Sequence, residues 1–349
     1  MTGLPEFKLN HLLRLTDDTG IIQHATYALP NRQTGYTTDD NARALLVSLQ
    51  AYRYRPEPEF LKLAETYMAF LHVAQKPSGW FHNFFDYQRR YLDDDGSDDS
   101  FGRSLWACGY ATVAMPDHFL GQASQAMIEK ALPAVPRLRS LRGMAYTLLG
   151  LSYYYQGLGE NAATSRLIRS LADDLVAAYQ ATRDRDWEWF EDILVYANAI
   201  LPTSLLLAYE VTEASAYLQA GKSTLEFLTR VQWADGYFNL VGNNGWYPKG
   251  RKMALFDQQP VDAGCLVQAY TVAHHVTGQR QYRHLAETAF NWFLGQNIQG
   301  LPLYDETTGG CCDGLQANGV NPNQGAESLL AYLLSRLAME AWQQARVAV

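Results

Sequence analysis

The sequence predicts an all-α chain folded as an (α/α)6 toroid: a double ring of helical hairpins with long loops on one face, forming one domain over residues 1–349. Three observations lead there. First, six helical segments rich in small residues each begin directly behind a polar, often acidic cluster, at Asp39, Asp98, Arg142, Tyr196, Pro260 and Asn323. Second, these starts lie 59, 44, 54, 64 and 63 residues apart, room each time for an inner helix, a return helix and a loop. Third, the segments between them are charged and amphipathic, and no series of strands interrupts the pattern. Solenoid repeats of helix pairs are shorter and more regular, at about 34 to 47 residues, so closure into a ring fits better.

Taken in order, the first inner segment, DDNARALLVSLQAY, is followed by PEFLKLAETYMAFLHVAQ. There Phe60, Leu61, Ala64, Tyr67, Met68 and Leu71 share one face at helical spacing. Pro58 suits the first turn, where a missing N–H costs nothing. The stretch GWFHNFFDYQRRYLDDDG alternates aromatic and polar residues, as a short hairpin does. Next come DDSFGRSLWACGY with FLGQASQAMIEKALPAV, and RGMAYTLLGLSYY with NAATSRLIRSLADDLVAAYQ. YANAILPTSLLLAY pairs with ASAYLQAGKSTLEFLTRVQ, and PVDAGCLVQAY with RQYRHLAETAFNWFLGQN. The inner segments carry Ala, Gly, Ser and Cys with few charges, the composition of helices buried all round. The sixth, NQGAESLLAYLL, has no return helix behind it, so either its partner comes from the N-terminal PEFKLNHLLRL, residues 5–15, or the sixth return helix is worn away.

Composition narrows the class. Hydrophobic residues make up 48% and charged residues 18%, an ordinary globular balance with ample core. A net charge of -8 without a basic stripe speaks against a nucleic-acid partner. No apolar run approaches the roughly 18 residues of a membrane span, and MTGLPEFKLNHLLRL has no apolar core of a secretory signal, so no membrane association is expected. Cys108, Cys265, Cys311 and Cys312 form no spaced disulfide framework, which fits a reducing cytoplasm.

Each loop that feeds an inner helix, except the short third one, exceeds the length of ordinary connections and is too aromatic to be disordered. Helix N-termini beneath such loops supply free N–H groups and positive dipole ends. A cleft built there gathers carboxylates, tryptophans and arginines, the chemistry that binds sugars through ring stacking and hydrogen bonds to hydroxyls. The expected partner is therefore an oligosaccharide or polysaccharide fragment. Glycoside hydrolysis needs one carboxyl held protonated and one ionised. Glu191, in WEWFED, has the most aromatic sequence neighbourhood and is expected to be the proton donor, with Asp192 beside it. Asp40 or Asp99 is expected to be the ionised partner, near Arg43 or Arg103. Contacts to substrate are expected from Asp39, Arg43, Trp80, Asp98, Arg103, Arg142, Trp189, Trp246, Asp257, Gln258, Gln324 and Glu327. An aspartate before a helix is also the ordinary N-cap, and a tryptophan is more often core than ligand platform.

Other motifs carry less. Asp94, Asp95 and Asp98 fit DDxxD, yet Gly96 and Ser97 interrupt the run, so it cannot lie along one helical face. Cys311–Cys312 lacks a second Cys/His pair at metal spacing, and no glycine motif cradles phosphate. His24, His82, His274 and His275 form no ligand or triad pattern. No metal and no cofactor is expected.

The strings LLRLTDDTGIIQHATYALPNRQTGYTTDDNARAL, GSDDSFGRSLWACG, WEWFED, FDQQPVDAG, LPLYDETTGGCCDG and NQGAES together resemble a bacterial family of glycosyltransferase-associated proteins. Its members are often fused to, or encoded beside, sugar transferases. The resemblance spans nearly the whole chain. It implies an (α/α)6 toroid similar to glycoside hydrolases, unsaturated uronyl hydrolases and sugar epimerases, with a glycosyltransferase as a partner. Where that family reads ENQGAES, Pro322 stands near NQGAES here and loop six has one acid fewer. The expected activity is glycoside hydrolysis. A sugar epimerase or isomerase, using His or Tyr at the cleft, and a non-catalytic glycan-binding module are the alternatives.

Overall fold

The computed structural model describes residues 4–159 and 161–347. The inner ring consists of α2 (Thr38–Tyr54), α4 (Asp98–Ala114), α6 (Leu141–Leu158), α8 (Ile200–Thr212), α10 (Pro260–Thr277) and α12 (Ala326–Val347). The outer ring consists of α1 (Asn10–Leu15), α3 (Pro58–Ala74), α5 (Phe119–Ala131), α7 (Ala162–Thr182), α9 (Ser215–Gln232) and α11 (Arg280–Asn291). Each inner helix packs on the next and α12 returns to α2, so the ring closes. The chain is an (α/α)6 toroid. The short α1 packs on α12 and stands in for the sixth outer helix, helped by the Arg336 Nε–H donating to the carbonyl of Pro5 at 2.7 Å.

The small residues of the inner helices are there because backbones touch. A Cβ on Gly109 of α4 would lie 2.1 Å from the carbonyl oxygen of Gly150 in α6. One on Gly150 would lie 2.4 Å from that of Leu105. At the top of the same seam a Cβ on Gly102 would meet the carbonyl of Gly143. These glycines draw the first turns of α4 and α6 together, and so set the distance between the charged groups that those turns carry.

The inner helices start where the polar clusters predict, with two adjustments. α8 begins at Ile200, because residues 196–199 form a turn in which Ala197 takes a positive φ of 46°. α12 begins at Ala326, after loop six has been tied to loop one by the Ala326 N–H donating to the Gln23 carbonyl. The loops clip to one another around one mouth of the barrel. Tyr36–Thr37 pairs antiparallel with Phe84–Phe85, and Ile193–Leu194 with Tyr247–Pro248. Gln258 bridges to Leu315. The hairpin expected in loop two exists as a bridge between Phe85 and Tyr91. Among the described residues, no helix is long and apolar enough to cross a membrane.

Candidate functional site

Three inner helices open with a hydroxyl cap. Thr37, Ser97 and Ser140 accept from the N–H groups of Asp40, Ser100 and Gly143, which satisfies one free donor in each first turn. From the turns behind these caps, Asp39, Asp40 and Arg43 of α2, Asp99 and Arg103 of α4 and Arg142 of α6 contribute to one charged cluster.

The centre of the cluster is Arg43. Its Nη1 donates to Asp40 Oδ1 and its Nη2 to Glu327 Oε2, both at 2.5 Å, with Asp39 Oδ2 at 3.9 Å. One guanidinium thus fixes acids from α2 and α12 across the closing seam of the ring. Asp40 is fully engaged, since its Oδ2 accepts from Thr37 Oγ1 at 2.7 Å. On the far side Arg142 donates to Glu191 Oε2 at 2.8 Å, to the Tyr196 carbonyl at 2.7 Å and to Asn198 Oδ1 at 3.2 Å. The Tyr196 hydroxyl donates to Asp99 Oδ2 at 3.0 Å. Arg103 lies between these groups, its guanidinium 4.3 Å from the centre of the Tyr146 ring.

Four buried polar atoms of this cluster have no hydrogen-bond partner: Arg43 Nε, Arg103 Nε, Tyr146 Oη and Asp262 Oδ2. Buried polar atoms are nearly always paired, so a group of unpaired ones at one point marks a place where a ligand can complete the network. Asp262 is the most informative. Its Oδ1 accepts the Ala197 N–H at 2.6 Å and its Oδ2 is buried without a partner. Burial, offset in part by the Ala197 N–H and reinforced by Glu327, pushes its carboxyl up to about 7. At Asp39 the cost of burial is outweighed by Arg43 and Arg103, and the carboxyl sits below its ordinary value. Burial, with Asp39 and Glu327 close by, pushes Asp40 up against the pull of Arg43. Neighbouring carboxyls in one cleft are thereby driven apart.

Of the residues singled out in the sequence, Asp39, Asp40, Arg43, Asp99, Arg103, Arg142, Glu191 and Glu327 come together here. Trp246 lies at the edge, 6.5 Å from the Tyr196 ring, with the pairing of loops four and five placing it there. Others lie elsewhere. Trp189 is fully buried beside Phe227 and Trp80 is stacked on Phe101, so both are core rather than sugar platforms. Asp98 Oδ2 accepts the N–H groups of Arg139 and Ser140, which makes it a brace for the start of α6. Asp192 is 80% exposed beside Lys249, outside the cluster. Gln258 is buried between Asn239 and Trp292, and Gln324 between Thr308 and Asp305, both as loop scaffolding. Asp257 meets Gln316, at 3.4 Å. Glu191 does not sit among aromatic rings: Trp189 and Phe190 turn into the core while its carboxylate turns to Arg142. Asp40 supports Arg43 from below, and Asp39, with 23% of its side chain exposed, faces the cleft instead.

Sequence reasoning missed Asp262, Tyr146, Tyr196 and Asn198. Two signals point to Asp262 and Asn198, and none to the two tyrosines. Asp262 is the third residue of α10, as Asp40 is of α2. The Asn-Ala of Asp40–Arg43 recurs as Asn198–Ala199 at the corresponding start in loop four. Among the described residues, no group of three or more His, Cys, Asp or Glu is arranged to hold a metal ion.

No protein-family model matches the sequence, and no curated protein is detectably similar to it. Solved structures do share the fold. A cellobiose 2-epimerase from Bacillus thermoamylovorans superposes with a TM-score of 0.74 at 13% identity, covering 96% of each chain. A GH76 α-mannanase from Bacteroides thetaiotaomicron gives 0.68 at 11% identity, over 96% of this chain and 94% of that one. An α-1,6-mannanase of Salegentibacter, made inactive by replacing two consecutively numbered aspartates and bound to α-1,6-mannotriose, gives 0.62 at 12%, over 94% and 95%. At these identities the likeness establishes the architecture alone.

Proposed function

We propose that the chain is a carbohydrate-active enzyme, and more narrowly a glycoside hydrolase that cleaves an oligosaccharide with two carboxyl groups in unlike environments. One observation carries this reading: Asp39, held ionised by Arg43 and Arg103, and Asp262, whose carboxyl is pushed up to about 7 with one oxygen buried and unpartnered, belong to the same cluster at one mouth of the barrel. That is the division of labour glycoside hydrolysis requires. Asp262 would give its proton to the glycosidic oxygen as the bond to the anomeric carbon breaks. Asp39 would attack that carbon or take a proton from the incoming water. Arg43, Arg103 and Arg142 offer donors to sugar hydroxyls, and Tyr196 and Trp246 form an aromatic wall for a ring face. A glycosyltransferase partner, implied by the family resemblance, would supply the glycan.

Asp39→Asn and Asp262→Asn test this on any oligosaccharide the wild type cleaves. Each is expected to cut turnover at least about a hundredfold with folding intact. Wild-type turnover in both variants would refute the pair.

A second reading is epimerisation or isomerisation, favoured by the unpartnered Tyr146 hydroxyl beside Arg103, which is placed to move a proton. It predicts a product of unchanged mass that takes up deuterium from solvent. A glycan-binding module would instead keep its affinity after loss of every carboxylate.

A further inference from the structure

The barrel has a second mouth, and the proposed chemistry does not use it. At the C-terminal ends of the inner helices lies a cavity of about 1160 Å3. This is at or above the roughly 300–1,000 Å3 of small-molecule sites. Trp106 lines it, stacked on Tyr146 with ring centroids 5.9 Å apart, and Tyr146 in turn lies under Arg103 of the charged cluster. The two spaces are thus separated by a pair of stacked rings.

The walls mix aromatic rings with aliphatic side chains, among them Leu149, Leu207, Val272 and Leu334. Tyr110 and Tyr153 meet edge to face at 5.5 Å, and Trp342 stands against the edge of His274. Between the rings the cavity is lined by Gln50 and Gln268, with Arg53 beside Tyr110 and Glu210 held by His275 and Gln156 at the rim. This lining discriminates between ligands. An apolar guest would strip water from the amides without replacing their hydrogen bonds, which is costly. A strongly charged guest meets Arg53 and Glu210 together, so neither sign is favoured. A neutral polyhydroxylated ring satisfies both parts of the surface, its C–H faces on the aromatics and its hydroxyls on the amides and charged rim.

We infer that this cavity is a second saccharide-binding site, spatially distinct from the carboxylate cluster and independent of what reaction that cluster performs. Such a site would hold a remote part of a glycan, or a separate sugar, without cleaving it.

Fluorine NMR of the full chain labelled with 5-fluorotryptophan tests it, because Trp106 and Trp342 line this cavity and Trp246 marks the other mouth. The probes are cellobiose and α-1,6-mannotriose at millimolar concentration, with signals assigned by Trp→Phe variants. The Trp106 and Trp342 signals should shift with saturation. Tyr153→Ala should weaken that response about tenfold or more, leaving any Trp246 response unchanged. Gln268→Leu, a milder change, should weaken it in the same direction and guards against misfolding of the first variant. The proposal is overturned if neither probe moves either signal, or if both variants respond as the wild type does. Asp39→Asn should leave this binding intact, so loss of the hydrolase reading and loss of this site are separate outcomes.

Discussion

Asp262 offers a prediction whose size follows from the structure. Its carboxyl moves from an ordinary 3.8 to about 7 on folding, chiefly because burial disfavours the charge. The folded form therefore holds a proton that the unfolded chain gives up between those values. Stability contributed by this group falls as pH rises through that window and levels off above it. Asp262→Asn removes the titration while keeping the oxygen that accepts the Ala197 N–H. Asp40, also pushed up, is present in both proteins and cancels in the difference. With one pH unit equivalent to about 1.4 kcal/mol, the variant should gain roughly 2.5 kcal/mol relative to the wild type between pH 5 and pH 8.5. Urea denaturation of both proteins at the two pH values measures it. A difference that stays constant with pH would show that Asp262 is not held protonated, and would remove the proposed acid.

Other expectations concern packing and the cleft. Gly109→Ala places a methyl against the Gly150 carbonyl and should destabilise the fold by about 1–3 kcal/mol, visible as a lower melting temperature. Gly159→Ala meets open space, so its cost should be confined to the strain of a positive φ. Arg43→Ala leaves Asp40 and Glu327 without their shared partner and should cost about 3–5 kcal/mol in chemical denaturation, with Arg43→Lys recovering only part because it lacks the fork. Trp246→Ala should raise KM for a cleaved oligosaccharide with little change in melting temperature. Trp189→Ala should lower stability by about 3–5 kcal/mol, because that ring is core.

The ring itself was legible in the sequence because its cause is local and repeated. Inner helices must be small and uncharged to touch, as Gly102, Gly109, Gly143 and Gly150 do, and their starts must be capped, as Thr37, Ser97 and Ser140 show. The place of the site followed from those starts. Roles within it were less legible, because they depend on which way a side chain turns. WEWFED reads as an apolar setting for Glu191, yet adjacent residues in an irregular loop point apart, so the indole of Trp189 enters the core while Glu191 reaches Arg142. Asp98 and Asp99 look alike in sequence, and one braces the next helix while the other meets Tyr196. Asp262 went unnoticed because a lone acid in PVDAGC looks like any first-turn carboxylate. Its distinction is an unpaired oxygen and three-dimensional neighbours.

The central claim is that this mouth of the barrel breaks glycosidic bonds with Asp39 and Asp262. The most direct measurement incubates the protein with a panel of linear α- and β-linked oligosaccharides in oxygen-18 water and analyses the products by mass spectrometry. Hydrolysis predicts shorter oligosaccharides with one oxygen-18 at the new reducing end, formed by the wild type and lost in Asp39→Asn and Asp262→Asn. Products of unchanged mass, no products from any member of the panel, or cleavage by both variants at the wild-type rate would contradict it.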